Sequence, residues 1–311
     1  MDIEYLLLLQ NFREVTGGFL NKFMAYITTY GEELLPMMIT AAILWCVSKK
    51  QGMYTLMTWG SGRLVNGFLK VTACAYRPWI RDERVIPVDG AKTAATGYSF
   101  PSGHTTNATS VFGSVAMNKK VGKTLRILMI VMIVLVAFSR NYLGVHTPQD
   151  VVVGLLSTVA LLFFMRWLLD VVDKKQNLDI IILVVGIVLN ILVIIYAATK
   201  SYPMDYDATG ALIVDPETMA LDTYKGCGFS VAVLISWFVD RRWLHFEPVG
   251  TPLEKVTYYT AGILGFFAIV YIIIPVLPSN ILGAFLDRFL RLIYVMLVVP
   301  FIIKSIHKNR A

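Results

Sequence analysis

An all-α polytopic membrane bundle, with about nine transmembrane helices and an N-terminal interfacial helix, is the fold this sequence predicts, and three observations carry it. Apolar residues make up 56% of the 311 positions and charged residues only 16%, with a mean hydropathy of +0.64. That balance is far from a soluble domain and close to one that uses lipid as solvent. Apolar stretches long enough to cross a hydrocarbon core of about 30 Å recur from end to end. Lysine and arginine gather at alternate ends of those stretches instead of forming one stripe.

Taken in order, residues 1–30 mix Arg13, Glu14 and Lys22 with leucine, phenylalanine and tyrosine. That mixture predicts a helix lying in the membrane interface, a tenth crossing being the alternative. Asp2 and Glu4 stand where a secretory signal carries positive charge, so no cleaved targeting segment is expected. Full-length crossings are expected at 53–76, 124–142, 150–171, 179–199, 255–276 and 281–303, and shorter or interrupted ones at 33–48, 104–118 and 226–239. Residues 79–99 are polar and rich in turn formers, whereas 119–123 and 172–178 are tight links. A second polar loop, 200–225, carries Asp205, Asp207, Asp215, Glu217 and Asp222. The last three crossings follow it, which divides the chain into a core, 1–225, and a C-terminal extension, 226–311, packed on that core. Asp287, Arg288 and Arg291 come early in the final crossing, where an isolated charge is expensive. They read as an interfacial turn with an Asp287/Arg291 pair at i and i+4, with a substrate contact as the alternative.

The net charge of +7 does not point to nucleic acid, because its carriers sit at helix ends. Lys49 and Lys50, then Lys119, Lys120 and Lys123, then Lys174 and Lys175, then Arg241 and Arg242, then Lys304, Lys308 and Arg310 follow alternate crossings. The excess of lysine and arginine on the cytoplasmic side puts these ends, and the C-terminus, in the cytoplasm. His245 and His307 fall on that side and read as interfacial. Cys46, Cys74 and Cys227 are odd in number and scattered, which suits core packing and not a disulfide framework.

Three short blocks emerge on the opposite, non-cytoplasmic side: KVTACAYRP at 70–78, PSGH at 101–104 and SRNYLGVHTPQD at 139–150. Phosphate concentrates negative charge on several acceptor oxygens, and Lys70, Arg77 and Arg140 supply the cations to hold it, the guanidiniums through paired hydrogen bonds. Pro78 favours an extended Arg77 and so ends the preceding helix. Ser102 and Gly103 precede an apolar helical run whose first N–H groups can point at an anion, with the serine hydroxyl as a further donor and no side chain on the glycine to obstruct approach. His104 then follows where it can protonate a departing oxygen. Thr147 suits an N-cap, Pro148 the first helical position and Asp150 the third residue after the cap. His146 therefore sits just outside that helix, one ring nitrogen toward the phosphate and the other toward the Asp150 carboxylate, as a nucleophile would. No histidine-carboxylate or cysteine cluster accompanies the blocks, so neither a metal nor another cofactor is expected.

Together, and in this order, the blocks resemble the three-part signature KxxxxxxRP, PSGH and SRxxxxxHxxxD of the type 2 phosphatidic acid phosphatase superfamily, over about residues 50–170. The resemblance implies a helical membrane core and a phosphohistidine intermediate, with His146, His104 and Asp150 catalytic and Lys70, Arg77, Ser102, Gly103 and Arg140 binding phosphate. The superfamily includes phosphatases of lipid phosphates, undecaprenyl pyrophosphate, sphingosine phosphate and glucose 6-phosphate. The long layout is similar to the last two. The expected activity is hydrolysis of lipid phosphate monoesters or pyrophosphates at the outer face, with membrane lipids as partners. A sugar-phosphate phosphatase and a non-catalytic lipid-phosphate transporter are the alternatives, and the sequence says nothing of oligomeric state.

Overall fold

The computed structural model describes residues 2–308 apart from 94, 176 and 208, so Arg310 of the last basic cluster lies outside the described residues. The described chain is helical almost throughout, and an isolated bridge between Tyr206 and Leu212 is its only extended pairing. Two short helices, α1 (Asp2–Val15) and α2 (Asn21–Thr28), lead to a bend and then to α3 (Leu34–Ala42), prolonged by a π-helical turn to Val47. The long α4 (Lys49–Ala73) and the one-turn α5 (Pro78–Arg81) precede an irregular crossing of the bundle end. After it come α6 (Gly103–Ala116), α7 (Lys123–Tyr142), α8 (Pro148–Val172), α9 (Leu178–Thr199) and α10 (Pro216–Val239). The chain ends with α11 (Pro252–Ala268), α12 (Ile281–Ile293) and α13 (Val299–Lys308), the last two joined by a π-helical turn.

Length and composition together qualify five of these as membrane spans: 123–142, 148–172, 178–199, 252–276 and 281–308. A sixth follows if Asn21–Gly31 and Leu34–Val47, bent by 53°, form one broken crossing. The protein is therefore a polytopic membrane protein. The other three expected crossings form as helices α4, α6 and α10, but they fail that test for a physical reason. α4 and α10 are enclosed by the other helices, and a helix that touches protein on all sides needs no lipid-facing stripe. α6, at 14 residues, reaches only about 21 Å.

Polarity is inverted relative to a soluble bundle. Large apolar side chains of α9, among them Ile181, Val184, Val188, Leu192 and Ile195, face outward, as do Ile127, Ile130 and Val134 of α7. Small polar groups fill the centre: Thr55 Oγ1 and Ser114 Oγ pair at 2.6 Å between α4 and α6, and Tyr54 donates to the Leu162 carbonyl of α8 at 2.8 Å. Such contacts replace the hydrophobic driving force that lipid cannot provide between helices. A Cβ on Gly62 would come within 3.0 Å of Thr106, so the glycine lets α4 and α6 approach closely. Around these sit Trp45, Leu56, Trp59, Phe229 and Leu292, all fully buried.

This packing brings the C-terminal ends of α4 and α7 and the N-terminal ends of α6 and α8 to one end of the bundle. The segment 82–99 lies across that end, with Val88 N–H donating to the Leu143 carbonyl at 3.1 Å and Ser99 N–H to that of Ala75 at 2.8 Å.

Candidate active site

The third block folds as its sequence dictates. Thr147 caps α8 through its hydroxyl, Pro148 occupies the first turn, and Asp150 returns a bond to the Thr147 N–H at 2.8 Å, completing a reciprocal capping box. The same carboxylate oxygen, Oδ2, meets His146 Nδ1 at 3.2 Å and accepts from Ser99 Oγ at 2.6 Å. Gly144, at φ +74°, makes the turn out of α7 that allows this, and Asn141 Nδ2 donates to the His146 carbonyl at 2.9 Å. With Nδ1–H directed at Asp150, the bonding network assigns the lone pair to Nε2. Burial pushes the His146 imidazole well below its ordinary pKa, the nearby Arg77 cation acts in the same direction, and Asp150 opposes both. The ring is thus held neutral, with its lone pair on Nε2.

Arg77 closes the other side. Its Nη1 lies 2.9 Å from His146 Nε2 and donates to the Val145 carbonyl at 3.1 Å, while Nε reaches the Gly97 carbonyl at 3.1 Å. Burial lowers this guanidinium to about 10, which still leaves it charged at neutral pH. Lys70, also buried, donates to the Tyr98 carbonyl. Both cations of the first block are therefore held against segment 96–98.

The second block forms the floor. Ser102 is the N-cap of α6: its oxygen accepts from Thr105 N–H at 3.4 Å and Thr105 Oγ1 at 3.0 Å, which leaves its own hydroxyl hydrogen free to donate. Ser102 N–H donates to the Asp150 carbonyl at 2.9 Å, and Asn66 Nδ2 fixes the Pro101 carbonyl at 3.2 Å. Gly154 lets α8 come this near, since a Cβ there would stand 2.9 Å from the Ser102 carbonyl. A Cβ on Gly103 would meet only Asn66 Oδ1, at 3.8 Å, so that side of the helix start is open to an approaching oxygen.

Arg140 is the most unusual group. It is fully buried, its Nη1 donates to Thr28 Oγ1 at 2.6 Å, and its Nε and Nη2 have no hydrogen-bond partner. His104 Nε2 is buried and unpartnered as well, within electrostatic range of Arg140, His146, Arg77 and Lys70. Buried donors rarely stay unsatisfied without a functional cause, because each costs about 1–3 kcal/mol. Among the described residues, no group of three or more histidine, cysteine, aspartate and glutamate side chains is placed to hold a metal ion.

All eight residues singled out in the sequence thus lie in one end of the bundle, around one cationic cup. The chain matches the PAP2 superfamily over residues 51–173, and over 224–310 it matches the transmembrane extension of PAP2 superfamily phosphatases. It is 35% identical over 158 residues to phosphatidylglycerophosphatase B of Bacillus subtilis, covering 47% of this chain and 73% of that protein. The chain belongs to the PAP2 superfamily. A further PAP2 relative is the undecaprenyl-diphosphatase of Sulfolobus acidocaldarius, 31% identical over 136 residues, or 43% of this chain and 64% of that protein. No solved structure matches. Domain content and apolar helices together make this a membrane protein of the PAP2 phosphatase class.

Several contributors to the PAP2 site escaped the sequence reading. Ser99 supports Asp150, Thr28 holds Arg140, and Asn66 and Asn141 fix the backbones of the second and third blocks. Arg13 of the N-terminal segment is buried and donates to the Tyr142 and Ile86 carbonyls at 2.6 and 2.7 Å. The Asp287/Arg291 pair forms at 2.6 Å within helix α12 and not in a turn, and Arg288 between them pairs both with Asp287 and with Glu33 from the other end of the chain.

Proposed function

We propose that this PAP2 superfamily protein is a metal-independent lipid phosphohydrolase that works through a phosphohistidine. The observation that carries the proposal is the pair of unsatisfied groups, Arg140 Nε/Nη2 and His104 Nε2, beside an imidazole already oriented by Asp150. Phosphate oxygens satisfy the Arg140 donors, the Ser102 hydroxyl and the first N–H groups of α6. They also draw Arg77 Nη1 away from His146 Nε2, which uncovers the nucleophile as the anion enters.

His146 Nε2 then attacks phosphorus, and the bond from phosphorus to the lipid oxygen breaks. His104, its protonated form favoured by the entering phosphate charge, gives its proton to that leaving oxygen. Asp150 stabilises the positive charge that develops on the His146 ring. In the second step the now neutral His104 takes a proton from water, whose oxygen attacks phosphorus. The phosphorus–nitrogen bond breaks, and inorganic phosphate and the free imidazole are restored. The fixed cations and N–H groups hold the charge in both steps, so the cup supplies by itself what a metal would otherwise supply.

The lipid class rests on two supports. Both relatives bear names that specify phosphorylated lipids, and the site lies at one end of an outward-apolar bundle, where a lipid can keep its tails in hydrocarbon. We further assign the cup to the non-cytoplasmic face of a nine-crossing layout with an interfacial N-terminus and a cytoplasmic C-terminus. The supporting geometry is at the opposite end, where Lys49 pairs with Asp240, Lys50 and Arg241 both reach Asp173, and Lys304 donates to the Leu244 carbonyl.

Rapid quench with radiolabelled lipid phosphate tests the chemistry. The unaltered protein should yield acid-labile labelled enzyme, His146→Ala none, and His104→Ala should slow release of an alkoxide far more than of nitrophenol. Labelled enzyme in His146→Ala would refute the nucleophile. Equal turnover of glucose 6-phosphate and lipid phosphates would refute the lipid class.

A further inference from the structure

The bend between α2 and α3 touches the site at three points. Thr28 holds Arg140 Nη1, the Gly31 carbonyl accepts from Asn107 Nδ2 at 2.9 Å, and Gly31 itself packs on the backbone of His104. The last contact is so close that a Cβ on Gly31 would stand 2.9 Å from both the His104 Cβ and its carbonyl oxygen. The placement of the bend therefore sets the placement of His104 and Arg140 together.

Glu33, the last residue of the bend, fixes it to partners outside it. As the residue preceding α3 it stands where a side chain would cap the helix, but it makes no such bond. Its carboxylate turns away instead, to Arg63 Nη2 of α4 at 2.9 Å and to Arg288 of α12. The three side chains are only 13–18% exposed. A largely buried ion pair costs about as much in desolvation as it returns, so its contribution to stability is a weak reason for its presence. Its geometry, in contrast, is specific: one carboxylate is clamped between a core helix and a helix of the C-terminal extension.

We infer that the C-terminal extension positions the catalytic acid, Arg288 acting through Glu33 and the Gly31 bend to seat His104 against the leaving oxygen. Arg288 is a positioning residue that acts through Glu33, and the inference rests on the phosphohydrolase reading above. It gives the extension a part in the chemistry of the core and predicts an unusual signature. A displaced acid hurts only those substrates that need protonation, and a small displacement suffices, since a misplacement of about 1 Å can cost roughly 100-fold.

The test is the ratio of kcat for nitrophenyl phosphate to kcat for a short-chain alkyl lipid phosphate, on purified full-length protein in detergent. Arg288→Gln should raise this ratio about tenfold or more, in the same sense as His104→Ala, while Arg288→Lys, which keeps the charge, should stay near the unaltered ratio. Tyr294→Phe, which removes a bond within the extension to the Gly262 carbonyl and touches neither Glu33 nor the bend, serves as control and should leave the ratio unchanged. Should Arg288→Gln fail to fold, Glu33→Asp, with a carboxylate too short to reach both arginines, is read by the same ratio. An unchanged ratio in these variants, or one that moves equally in Tyr294→Phe, overturns the inference. Failure of the unaltered protein to hydrolyse either ester is a separate result that tells against the phosphohydrolase reading itself.

Discussion

Replacing Arg140 with methionine should make the protein more stable and almost inactive. The guanidinium is fully buried, with one bond to Thr28 and two donors unpaired. Unpaired buried donors cost about 1–3 kcal/mol each, and the bond to Thr28 returns about 1 kcal/mol. Methionine, of comparable length and without polar hydrogens, removes all three terms, for a net gain of about 1–5 kcal/mol in unfolding free energy. Glu32, which lies within electrostatic range and partly offsets the buried charge, favours the lower half of that span. Function should move the opposite way. Two charge-assisted bonds to phosphate are worth about 1.5–3 kcal/mol each, so kcat/KM for a lipid phosphate should fall about 10²- to 10⁴-fold. Thermal unfolding in detergent, followed by tryptophan fluorescence, and steady-state phosphate release measure the two quantities on the same preparation. Added vanadate, as a phosphate mimic, should raise the midpoint of the unaltered protein and not that of the variant. A variant that melts earlier yet keeps its kcat/KM within tenfold would show Arg140 to be structural and refute the reasoning.

Three further outcomes follow from the same geometry. A hydrophilic thiol reagent should label a cysteine placed at Thr209 from the non-cytoplasmic side only, and one placed at Lys174 only from the cytoplasm; the reverse pattern would invert the site. Chelators should leave turnover intact while vanadate, resembling five-coordinate phosphorus, inhibits it, and loss with EDTA rescued by a divalent ion would sink the metal-free mechanism. Because burial and Arg77 hold His146 below the imidazole value of about 6.5, the ring stays neutral where an unfolded chain would already be protonated. The unfolded state then binds more protons, so His146 makes the fold lose stability as pH drops below about 6.5. The acid limb of kcat/KM, corrected for ionisation of the substrate, should lie below that pH and move upward in Arg77→Gln, and a limb at or above it in the unaltered protein would contradict the assignment.

Much of the site could be read from the chain because its chemistry is written in local spacing. Pro78 holds Arg77 extended at the start of α5, although α4 itself has already ended at a left-handed Cys74 and not at the proline; Ser102 caps α6 ahead of His104, and Thr147, Pro148 and Asp150 build a capping box that presents His146. These are contacts between residues at most a few positions apart, governed by backbone geometry and capping, which follow from residue order alone. Composition likewise settled the solvent: the outward apolar faces of α7, α8, α9 and α11 are long enough to register in any window.

What the chain could not announce are bonds between residues far apart, where many partners are equally allowed until the helices pack. Ser99 reaches Asp150 across 51 positions, and Thr28 reaches Arg140 across 112. α4 and α10 proved too polar to qualify as lipid-facing spans, because their surroundings are other helices and not hydrocarbon. Asp287 and Arg291 sit at i and i+4, and a local pair was legible. Glu33, far away in sequence, is the partner of Arg288 that residue order did not show, beside its pairing with Asp287 next door. Residue order determined which groups this protein carries to each helix end. Tertiary packing alone decided which donors are satisfied and which are left facing the cup, because satisfaction depends on what is near in space.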